Sequence, residues 1–91
     1  MTFSDALKLV RENADNYFII SGFKFGDKFY FVTVSSKAVY ESGEYVETIY
    51  VVDTNDSSVT FDNLINICGS FNDATANEFI EAANNSTRVD S

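Results

Sequence analysis

The chain has 91 residues, a formal charge of −8, 45% hydrophobic and 15% aromatic side chains, one cysteine and no histidine. That length supports one domain with one core rather than two, and the apolar content excludes a disordered body. The missing histidine removes the commonest general base, the usual partner of a serine or cysteine nucleophile, and the usual zinc ligand.

Phe3, Ala6, Leu7 and Val10 fall at i, i+3, i+4 and i+7. This apolar stripe predicts a helix from about residue 3 to about residue 13, capped by Thr2 or Ser4, with Asp5 at its positive end and Arg11 near the other. Tyr17 to Val34 is the densest apolar run, broken once at Gly26-Asp27. A two-residue Gly-Asp loop between β-rich arms predicts a hairpin, because glycine supplies the positive φ of a primed turn. Pairing Phe25 with Lys28 then sets Phe23 opposite Tyr30, Ser21 opposite Val32 and Ile19 opposite Val34 on one face. The other face carries Phe18, Ile20, Gly22, Lys24, Phe29, Phe31 and Thr33. Both faces are rich in aromatic and β-branched residues, so both need cover, from a helix, a second copy or a foreign partner.

Ser35 to Glu44 reads as a long loop, and Tyr45 to Val52 as a third strand whose Glu47 marks a wetter face. A turn from Asp53 to Ser58 leads to a short fourth strand, Val59 to Phe61. Asp62 or Asn63 caps a helical turn that Gly69 ends, and Asn72 or Ser70 caps a last helix with Phe71, Thr75, Phe79, Ala82 and Ala83 along one side. Asn84 to Ser91 reads as a frayed polar tail. The expected fold is α+β over residues 1–91: an N-terminal helix, a three- to four-stranded antiparallel meander and one or two C-terminal helices. Its expected core is Phe3, Leu7, Val10, Ile19, Phe23, Tyr30, Val32, Ile49 and Val51, with the first helix on that face.

Charge is unevenly placed, +1 over residues 1–37 and −9 over residues 38–91. Such a field repels nucleic-acid backbones and attracts basic protein surfaces, although solubility is the default meaning of an acidic excess. Asp53, Asn55 and Ser57 place oxygens at alternate positions as a calcium loop begins, but Ser58 and Leu64 stand where its glycine and bidentate glutamate would be. An Asx-stabilised turn is the better reading. Cys68, the lone cysteine, cannot form an internal disulfide and reads as an inert, buried thiol. No glycine-rich phosphate loop is present, and no nucleophile with its base, or ligand cluster, can be assembled. The expectation is therefore no enzyme, no metal, no cofactor and no direct nucleic-acid binding. With no long apolar run and with Asp5 and Lys8 near the start, it is also no membrane span, no secretory leader and a cytoplasmic location.

The run Ile49-Tyr50-Val51-Val52-Asp53, a turn, then Val59 resembles the strand-turn-strand of PepSY-type domains, with Asp56-Ser57 where those carry Thr-Gly. The pattern is also broadly similar to YrhB-like immunity proteins. The whole chain, short, acidic, aromatic and starting on a helix, resembles small proteins of bacteriophages and mobile elements of Gram-positive bacteria. These resemblances imply an inhibitor or accessory protein that works by binding, and no catalytic residue. A basic protein is the expected partner, met by Glu41, Glu44, Glu47, Asp53 and Asp56 with Tyr40 and Tyr45 as anchors. Phe18, Ile20, Phe29 and Phe31 form a candidate homodimer face if nothing else covers it. The alternative is a structural or assembly component of a phage particle that self-associates through its sheet.

Overall fold

The computed structural model describes residues 1–14, 17–35 and 47–89, with only the backbone of Tyr17, Ser35 and Glu47. The fold is α+β. Helix α1 (Phe3–Asn13) is followed by strands β1 (Tyr17–Phe25), β2 (Lys28–Ser35), β3 (Glu47–Asp53) and β4 (Val59–Asp62). Helices α2 (Leu64–Gly69) and α3 (Asp73–Asn84) and a short strand β5 (Thr87–Arg88) complete the order. The antiparallel sheet runs β4-β3-β2-β1-β5.

Helix α1 begins in a capping box. The Asp5 N–H donates to Thr2 Oγ1 at 3.2 Å and the Thr2 N–H to Asp5 Oδ2 at 3.1 Å, so two otherwise orphaned donors are satisfied. The hairpin turns at Gly26, whose φ of +61° is the positive value glycine tolerates. Register follows the expectation from Phe25–Lys28 through Phe23–Tyr30 to Ser21–Val32, then shifts at Ile20, so that Ile19 stands opposite Thr33 and Phe18 opposite Val34. A bulge of this kind inserts one residue and inverts the facing of everything beyond it.

Two consequences correct the expected core. Ile19 joins Phe29, Phe31, Tyr50 and Val52 on the face that packs against Ala6, Val10 and Ala14, with Phe3 and Leu7 alongside. Phe23, Tyr30 and Ile49 occupy the opposite face with Ile67 of α2 and Phe79 of α3, and Val51 is packed against them. Helix α1 therefore covers the face whose cover the sequence left open between a helix, a second copy and a partner, and the C-terminal helices cover the face expected to lie under α1. Aromatic rings dominate the second core: Phe79 lies 4.9 Å from Tyr30, 5.2 Å from Phe23 and 5.3 Å from Phe25, between centroids and near edge-to-face. The fully buried Thr33 is satisfied by donating from Oγ1 to the Thr48 carbonyl at 2.7 Å.

The tail is not frayed where it was expected to be. Thr87 and Arg88 pair with Gly22 and Ser21, and the Val89 N–H donates to the Ile20 carbonyl at 2.8 Å. Val89 also packs against the α1-side core, so β5 closes the β1 edge of the sheet.

Candidate binding surface

Strand β4 and helix α2 lie at the opposite edge of the sheet from β5. The turn before them is built from its own side chains. Asp53 Oδ1 accepts the Asn55 N–H and Asp56 Oδ1 the Ser58 N–H, each at 2.9 Å, while the Thr54 N–H and Oγ1 both donate to the Asp27 carbonyl. These are Asx turns, as read from the sequence, and the Thr54 pair ties this turn to the β1–β2 hairpin. The hydrogen bonds from Ser58 hold the Asp56 carboxyl below its ordinary range.

At the end of β4, Asp62 Oδ1 accepts the Asn63 N–H at 2.8 Å and Asn66 Nδ2 at 3.0 Å, and Asn63 caps α2 by accepting the Asn66 N–H. Helix α2 has six residues and only Ile67 is buried. A residue two positions away points to nearly the opposite side of a helix, which leaves Ile65 82% exposed. Phe61, directly across from Tyr50 with ring centroids 5.8 Å apart, is 69% exposed, on the strand that is last in the sheet among the described residues. With the part-exposed Leu64, three large apolar side chains thus reach solvent within five residues of chain, a stretch that also holds Asp62.

The α2 side of the same edge holds a groove of about 300 Å³ between α2 and strands β2 to β4, with Tyr30, Val51, Thr60, Asn66 and Phe71 among its walls. Burial raises the Tyr30 phenol above its ordinary pKa. Among the described residues no group of three histidine, cysteine, aspartate or glutamate side chains could hold a metal, and no helix is long and apolar enough to cross a membrane. Cys68 is half-buried against the α3-side core.

Of the expected contact residues, Tyr40, Glu41, Glu44 and Tyr45 lie outside the described residues, and Glu47 is placed by its backbone alone, opposite Val34. Asp53 and Asp56 fall in the β3–β4 turn, with Asp53 across from Lys28. The candidate dimer face is divided. Phe29 and Phe31 are buried under α1 and contribute no surface, whereas Phe18 and Ile20 remain exposed at the bulged end of β1. Phe61, Leu64 and Ile65 were not singled out from the sequence. The available signal was that a helix this short, carrying Leu64, Ile65 and Ile67, cannot turn all three toward one sheet.

Compared with protein-family models, curated proteins and solved structures, the chain matches none.

Proposed function

We propose that the protein is a non-catalytic binding protein that captures a basic protein partner, as an inhibitor or immunity protein of phage or mobile-element type does. The observation that carries this reading is the β4–α2 junction, where Phe61, Leu64 and Ile65 are all exposed within five residues of chain that also hold Asp62. Several large apolar side chains exposed along one short stretch, with a charge among them, are features of a protein-docking surface. The residues from 38 onward, which include this junction, carry −9. A field of that sign raises the association rate of a basic partner and loses its effect as salt screens it. Glu41, Glu44, Glu47, Asp53 and Asp56 supply the steering charge in this reading, and Tyr40 and Tyr45 further anchors.

Affinity capture from the native host tests the proposal, using the unaltered protein, the triple variant Glu41→Lys, Glu44→Lys, Glu47→Lys, and the double variant Phe61→Ser, Ile65→Ser. The partner is expected to be basic, to dissociate with rising salt, and to be lost with either variant. Retention of the same partner by both variants with unaltered salt dependence would exclude electrostatic capture. A self-associating structural protein, the alternative, would use Phe18 and Ile20, the exposed remnant of the candidate dimer face. It would form concentration-dependent oligomers indifferent to the lysine substitutions.

A further inference from the structure

The two edges of the sheet are finished differently. Beyond β1, the strand β5 pairs with Ser21 and Gly22 and Val89 bonds Ile20, so that edge is closed along part of its length. Beyond β4 there is no further strand, and Val59–Asp62 makes no backbone hydrogen bond other than its pairing with β3 among the described residues. Natural edges are ordinarily guarded by lysine, proline, a bulge or a covering element. The sequence Val-Thr-Phe-Asp has no lysine or proline, its ladder to β3 runs without a register shift, and three of its four residues are exposed.

We infer that β4 is a docking edge, onto which an extended segment of the basic partner adds as a further strand, with apolar and basic side chains alternating along it. This rests on the capture of a basic partner proposed above and specifies how it happens. Alternation follows from the edge itself. Phe61 projects on the α1 side of the sheet, where its ring meets Tyr50, while Thr60 and Asp62 project on the α2 side. An added strand sets its own side chains beside these, so the matching face is apolar next to Phe61 and cationic next to Asp62. A second copy of this chain is the poorer occupant, because it brings another −8 against the first.

The test uses the intact protein and a short synthetic peptide of alternating lysine and valine, with two controls: the same peptide N-methylated at alternate residues, and its glutamate-valine counterpart. Binding is read by titration, and the amides of Val59–Asp62 by hydrogen exchange. The inference predicts salt-sensitive binding of the lysine peptide, slower exchange in β4, no binding of the glutamate peptide, and affinity about tenfold or more weaker after N-methylation, which removes backbone hydrogen bonds. Equal binding of the methylated peptide with unchanged β4 exchange would overturn strand addition and leave basic capture standing. If the lysine and glutamate peptides cannot be told apart, basic capture falls and strand addition with it. Concentration-dependent protection of β4 without any peptide would give the edge to a second copy and overturn the assigned occupant.

Discussion

The Phe31 ring occupies the space into which a side chain at Gly22 would project. The two residues stand directly across from each other on β2 and β1, and a Cβ at position 22 would meet Phe31 Cδ1 and Cε1 at 2.6 Å and Phe3 Cε2 at 2.9 Å. The glycine thus creates the recess that lets a fully buried phenylalanine lie against the sheet beneath α1. Gly22→Ala is expected to destabilise the fold by about 1–3 kcal/mol, since the obstructing ring is enclosed and cannot swing into solvent. Combining it with Phe31→Leu should cost less than the two changes summed, because the pair shares one space. Urea unfolding of the single and double variants gives both numbers.

Phe79 holds the other face. It is fully buried, with ring centroids within 5.5 Å of Phe23, Phe25, Tyr30 and Phe71. Phe79→Ala is expected to cost about 3–5 kcal/mol through lost burial and the cavity left behind. Phe61→Ala, an apolar truncation of the same size at an exposed site, should cost under about 1 kcal/mol. Parallel denaturation curves decide whether the two phenylalanines differ as the packing requires.

Asp5 and Tyr30, alongside Asp56, give stability a definite dependence on pH. The hydrogen bonds from Thr2 lower the pKa of Asp5 in the folded chain, so its contribution is complete above the unfolded carboxylate value and lost as pH falls through the folded one. Asp5→Asn should flatten the acid limb of the stability curve. Tyr30 is raised by burial, so the native state keeps its phenol protonated while the unfolded chain ionises. Its contribution is complete below the unfolded tyrosine value and is lost as pH rises through the folded one. Tyr30→Phe should extend stability on the alkaline side, read by melting temperature against pH.

Removing residues 87–91 uncovers the β1 edge and takes Val89 from the α1-side core. The shortened chain is expected to melt at a lower temperature and to associate more readily with concentration, because an unguarded edge is a template for pairing. Sedimentation at two concentrations checks this, with Thr87→Pro as a full-length variant that blocks a β5 donor.

The hairpin was legible because it is local. Gly26-Asp27 fixes one register, period two fixes both faces, and the caps at Thr2, Asn63 and Asn72 are read from side chains that bond three residues ahead. Sequence alone also established that two apolar faces needed cover. Which helix covers which face was decided only in three dimensions, since a stripe such as Phe3, Ala6, Leu7 and Val10 fits any apolar surface of its size and carries no address. The bulge at Ile20 has no residue signature, yet it moves Ile19 into the α1-side core and leaves Phe18 exposed. The docking of Thr87 and Arg88 was invisible for another reason: strand pairing uses backbone groups that every residue but proline possesses, so a polar tail pairs as well as an apolar one once an edge lies beside it. The exposure of Phe61 is tertiary in the same sense, because an aromatic in a strand is buried or bare according to whether its strand is central or last, and that order is a property of the assembled sheet.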